Sequence, residues 1–204
     1  MPTMNVLANY GDPQQNLIHS TASVTNPQIE EFFKTESFSK ISVNFSVNRE
    51  NFDLNNSEII KINESSNLIR LRVNNGLRID YVILMPNNSA VLYEKTLINE
   101  SGNGNIEQYD ENGMLVANFG VVKKDEKFNV KLNFVNNAAL LPDQLECIKK
   151  TYDYIKKTCE KDTTCSISCD LSPQCATVMY GVAAAHCAAT GNKPVKASHS
   201  LAAE

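Results

Sequence analysis

The sequence predicts an α+β protein: a short N-terminal helix on an antiparallel β-meander sheet, followed by a disulfide-linked C-terminal helical hairpin. Three observations lead there. Apolar residues alternate with period two, between turn residues, over most of the first 137 positions. After Asn136-Asn137 the period changes to three and four. All six cysteines (Cys147, Cys159, Cys165, Cys169, Cys175 and Cys187) lie in the last third, separated by eleven, five, three, five and eleven residues, a spacing that reads the same in both directions.

With 204 residues, 42% of them apolar, the chain is long enough to bury a real core. Its net charge of −4 argues against a nucleic-acid partner, which would call for a basic surface. Residues 1–137 carry 12 Lys and Arg against 16 Asp and Glu, whereas residues 138–204 carry 7 of each, so the acidity belongs to the first segment.

Residues 1–24 are polar and weakly periodic, and read as a loose arm. In the segment 25–137, Asn26 is a good N-cap, Pro27 suits the first helical position, and Ile29, Phe32 and Phe33 fall on one side of a short helix. In FSKISVNFSV, Ile41, Val43, Phe45 and Val47 alternate with polar residues, which predicts a strand. Further runs follow at Leu68 to Val73, Leu77 to Met85, Val91 to Ile98, Ile106 to Tyr109, Met114 to Val122 and Phe128 to Val135. Asn74-Asn75-Gly76, Gly102-Asn103-Gly104, Asn112-Gly113 and Lys124 to Lys127 separate several of them. Links so short join antiparallel neighbours. The expected sheet has six or seven strands, one face under the Phe32/Phe33 helix and the other largely wet.

Residues 138–191 read as the hairpin and 192–204 as a polar tail. Leu145, Ile148, Tyr152, Ile155 and Cys159 form one stripe on a first arm starting at Pro142. Ser172 and Pro173 cap a second arm, on which Val178, Met179, Val182, Ala185, His186 and Ala189 share a face with Cys175, and Gly191 is a plausible stop. A nested scheme would join Cys147 to Cys187, Cys159 to Cys175 and Cys165 to Cys169, with rungs about 18 Å apart along each helix. The lengths agree, but twelve residues advance about 120° around an ideal helix, so the distal thiols would diverge. Either one arm breaks before its outer cysteine or the connectivity differs; six cysteines admit fifteen pairings.

Competing chemistries are thinner. A zinc site would use Cys165-x3-Cys169 with Cys175 and His186, without the paired knuckles such sites usually show. His186 and Cys187 are adjacent and project about 100° apart on a helix, a poor base and nucleophile pair. His19 and His199 read as solvated. No nucleophile elbow, metalloprotease or phosphate-loop motif is present, so no enzyme, cofactor or metal is expected. The five Asn-x-Ser matches fit the compositional excess of 25 Asn. From Leu171 to Asn192 there is no formal charge, yet Ser172, Pro173, Gln174, Thr177 and Thr190 dilute the stretch below a bilayer span. A buried helix is the expectation, with insertion at a membrane surface as the alternative.

An even cysteine count crowded into sixty residues predicts an oxidising, exported setting. The first nineteen residues lack the basic start and apolar run of a signal peptide, so either a leader has been removed or the compartment differs.

A β-rich, Asn- and Lys-rich leader followed by a six-cysteine piece containing CDLSPQCATVMYGVAAAHC resembles the precursors of halocin-type bacteriocins. That resemblance implies a secreted antimicrobial precursor, with the β segment as propeptide, carrier or immunity-like partner. The disulfide-stabilised hairpin would act on a target-cell membrane or membrane receptor. Cleavage would fall at the polar junction around Asn137, Ala138 and Ala139. The alternative is a non-enzymatic extracellular binding or inhibitor module in which the hairpin braces the sheet. Contact between the Ala-rich arm and the N-terminal domain favours the brace, and an independent hairpin favours the effector.

Overall fold

The computed structural model describes residues 19–21, 26–63, 66–136 and 142–195. Helix α1 (Pro27–Phe32) begins as expected. The Asn26 side chain accepts the Gln28 N–H, Pro27 takes the first position, and Ile29 and Phe32 are buried.

The expected strand at Ile41 to Val47 is instead helix α2 (Glu36–Phe45). Thr35 caps it by accepting the Phe38 N–H at 3.2 Å. Ile41 and Phe45 are one helical turn apart, so they satisfy both periods, but Val43, which a strand would bury beside them, is 80% exposed. Ser46, in the left-handed region at φ 54°, ends the helix.

Among the described residues, eight antiparallel strands follow chain order across one sheet: β1 (His19–Thr21), β2 (Phe52–Asn63), β3 (Ser66–Asn75), β4 (Arg78–Leu84), β5 (Val91–Ile98), β6 (Gly104–Asp110), β7 (Leu115–Lys124) and β8 (Lys127–Val135). Two of them depart from the sequence reading. His19–Thr21, placed in the loose arm, pairs with Glu58–Ile60. The Asn-rich β2 interrupts its own pattern with an irregularity between Asp53 and Glu58, where the Asp53 carboxylate accepts from Asn56. The β7–β8 hairpin turns on Asp125 and Glu126, both at positive φ as a two-residue turn of this hand requires.

Both faces of the sheet are covered, which corrects the expectation of a wet side. On one, Ile29, Phe32, Ile41, Phe45 and Val47 pack on Ile69, Leu71, Val73, Val82, Leu84 and Tyr93, with the Phe45 and Tyr93 rings stacked at 4.0 Å. On the other, Leu68, Ile83, Leu92, Ile106, Phe119 and Val121 meet the Cys-rich helices in a continuous core. Burying each such large side chain contributes about 1.5–3 kcal/mol.

The Cys-rich piece is three helices, where a two-armed hairpin was expected: α3 (Pro142–Lys161), α4 (Thr163–Leu171) and α5 (Cys175–Ala189). Asp162 breaks the first arm because its side chain accepts the Cys165 N–H at 2.8 Å, capping a new helix in place of continuing the old one. Ser172-Pro173 then separates α4 from α5. Helix α5 is buried almost all round, between α3 and the sheet. Tyr180 lies edge-on to Phe119 at 5.6 Å, and a Cβ on Gly181 would stand 3.0 Å from the Leu68 methyl.

Candidate functional site

The cysteines pair as Cys147–Cys187, Cys159–Cys165 and Cys169–Cys175, with Cα separations of 6.0, 5.1 and 5.1 Å. The outermost bridge is the one in the nested scheme. The two inner nested bridges are replaced by short-range ones. The reason is the break at Asp162: α4 folds back so that Cys165 meets Cys159 six residues earlier, and the turn at Ser172-Pro173 does the same for Cys169 and Cys175. The two bridges touch, with Cys159 Sγ 3.4 Å from Cys169 Sγ.

Beside these bridges a cleft of about 570 Å³ opens between the β7–β8 turn and the three helices. Phe128, Val130, Tyr152, Ala176 and Met179 give it an apolar floor, and Cys159, Cys169 and Cys175 form part of the wall. Lys124, Lys127 and Lys156 alternate with Asp125, Glu160 and Asp170 around it, and Lys127 reaches Asp170 at 2.8 Å across one end. Burial, with Asp153 adding to it, pushes the Tyr152 hydroxyl up to about 12, so it stays a neutral donor at physiological pH. The arrangement suits an apolar group flanked by charges of both signs.

The face expected on the second arm is divided. Met179, Val182 and Ala185 are buried in the core, Val178 and His186 are half-buried, and Ala189 is exposed. Burial lowers the His186 imidazole pKa, against a hydrogen bond to the Lys193 backbone. Its neighbour Cys187 is bridged to Cys147. The candidate cleavage residues Asn137, Ala138 and Ala139 lie outside the described residues. The adjoining Asn136 is held at the end of the sheet, its N–H and side-chain amide donating to the carbonyls of Val116 and Leu115. Among the described residues no helix is long and apolar enough to cross a membrane.

Sequence reasoning missed two buried polar clusters. Asp80 accepts from Arg78 Nε and Nη2 at 2.7 and 2.8 Å, from the Tyr93 hydroxyl at 2.8 Å and from the Thr96 N–H at 3.3 Å. On the opposite face Glu94 accepts from Arg70 at 2.8 Å and from Gln108 at 2.9 Å, while the Arg70 guanidinium lies 3.3 Å over the Tyr81 ring. Burial works against the Arg70 charge, but Glu94, Tyr81 and Glu58 hold its pKa above the ordinary value. These carboxylates are occupied by their partners, and they tie strands together across the sheet.

No protein-family model matches the chain, and no curated protein or solved structure does.

Proposed function

We propose that the protein is a non-enzymatic, exported binding module in which the disulfide-linked helices brace the sheet and, with the β7–β8 turn, form a recognition cleft for a partner. One observation carries this reading: helix α5 is built into the core. Its Met179, Tyr180, Val182, Ala183 and Ala185 pack between α3 and the sheet, and share that core with Leu68 and Phe119. Releasing residues 138–204 as an effector would expose that face of the sheet together with the helix. The three bridges suit an oxidising exterior, where they limit the unfolded ensemble. The cleft, apolar below and of mixed charge above, suits an extended peptide segment that offers one apolar anchor.

The test has two arms. Peptides selected from a displayed library against the oxidised chain should compete with one another and lose binding to a Lys156→Glu/Asn129→Arg variant. In parallel, the full chain and the fragment 138–204 are assayed for leakage of anionic vesicles and for killing of bacteria; neither should act. A fragment that folds alone and permeabilises vesicles would instead establish the antimicrobial-precursor reading.

A further inference from the structure

Three of the six sulfurs sit together and a fourth is bonded to one of them. The Sγ atoms of Cys159, Cys165 and Cys169 all lie within 4.8 Å of one another, and Cys175 joins them through its bridge to Cys169. They come from three helices that meet at one point: the end of α3, both ends of α4 and the start of α5. Such a cluster can be closed in two ways, by sulfur–sulfur bonds or by a cation held between the sulfurs.

We propose that these four cysteines, once reduced, form a tetrathiolate site for a single zinc ion, so that bridges and metal are alternative closures of one cluster. The geometry is close to what the ion needs. Tetrahedral zinc with bonds of about 2.3 Å puts its sulfurs about 3.8 Å apart; Cys159 and Cys169 already stand at 3.4 Å. Cys165 lies within 4.8 Å of both, and Cys175 is bonded to Cys169. Cys159, Cys165 and Cys175 are buried, as a closed structural site requires, and Cys169, half-buried in the cleft wall, gives a reductant and the ion a way in. Two of the thiols lie in first turns, Cys165 of α4 and Cys175 of α5, where the positive end of the helix dipole favours thiolate. The Cys147–Cys187 bridge lies at the far end of α5 and takes no part.

The chemistry balances with an external thiol as reductant. Each of the two bridges accepts two electrons and two protons from two thiol molecules, which leave as one disulfide. Zinc then displaces one proton from each of the four cysteine thiols.

The experiment uses the full chain, reduced by a phosphine so that no competing thiol remains, and titrated with cobalt(II) without oxygen. One equivalent should bind with the intense visible bands of a tetrahedral four-sulfur site, and zinc should displace it one for one. Alkylation of the zinc-loaded chain followed by mass spectrometry should find Cys159, Cys165, Cys169 and Cys175 protected and Cys147 and Cys187 modified. Cys165→Ser should lose the four-sulfur spectrum. A reduced wild-type chain that gives no such bands, whether or not its sheet persists, overturns the proposal, as does protection centred on Cys147 and Cys187.

Discussion

Asp80 shows how the sheet tolerates a fully buried carboxylate: it is met by five donors, two from Arg78 and one each from Asn75, Tyr93 and Thr96. Removing one member of such a pair strands the others, so Asp80→Ala is expected to cost about 3 kcal/mol, read as a lower denaturant midpoint at unchanged slope. Burial also holds the Tyr180 hydroxyl up at about 12, against an ordinary tyrosine value of 10.0. Its stabilising contribution is intact below pH 10, where folded and unfolded chains are both protonated, and is lost as pH rises from 10 to 12. That loss amounts to about 2–3 kcal/mol. Unfolding midpoints measured across that range should fall for the wild type and fall less for Tyr180→Phe. A signal for the second polar cluster was present in the sequence. Arg70, Glu94 and Gln108 occupy the same strand parity as the buried Leu68, Leu92 and Ile106. Polar residues at core positions on neighbouring strands invite pairing, but which partners meet depends on register, which alternation alone does not give.

At the level of elements, turn chemistry was the most legible feature, because it depends on a few residues and their backbone freedom. The six strands β3 to β8 fall where the alternation and the turn residues between the runs placed them. Gly104 shows how strictly one link is built: a Cβ there would lie 1.9 Å from the Leu97 carbonyl oxygen, whereas one on Gly76 would meet nothing within 4 Å. Gly104→Ala should therefore lower the melting temperature more than Gly76→Ala, which bears only the left-handed backbone cost of about 1–2 kcal/mol. Helix α2 was hidden because Ile41 and Phe45 fit periods of two and of four alike. The deciding features were the Thr35 cap and the contacts of Phe38 with Phe32, Phe33 and Phe52. Thr35→Ala is expected to cost about 1 kcal/mol in equilibrium unfolding. The break at Asp162 was similarly concealed, since an Asp within a charged helix reads as surface until its side chain is seen to cap the next one. Hence the connectivity stayed open in the sequence: the outer bridge appeared only in a nested scheme whose helical phase argued against it, the two inner bridges depend on the hidden break, and Cys165, Cys169 and Cys175 came together only in the zinc alternative, without Cys159.

For the molecule as a whole, the covering of the sheet's second face was the main feature alternation could not supply. Periodicity marks a surface as apolar without naming what lies on it, and the covering helices come only after the last strand, from Pro142 onward. The bridges differ in what they contribute at this scale. Cys147–Cys187 spans 40 residues, against six for each of the others. On the loop-entropy relation the long bridge is worth about 4 kcal/mol and each short one about 2 kcal/mol. Chemical denaturation of Cys147→Ser/Cys187→Ser should accordingly show about twice the loss of Cys159→Ser/Cys165→Ser.

The simple strand order has a consequence for synthesis. Each strand emerges from the ribosome next to the one it pairs with, so the sheet and its N-terminal helices can assemble hairpin by hairpin. Until the last sixty residues follow, Leu68, Ile83, Ile106 and Phe119 face water together as a sticky plate. A nascent chain stalled before Pro142 is thus a natural client for a chaperone, and maturation is complete only when the final helix closes the plate it was made to cover.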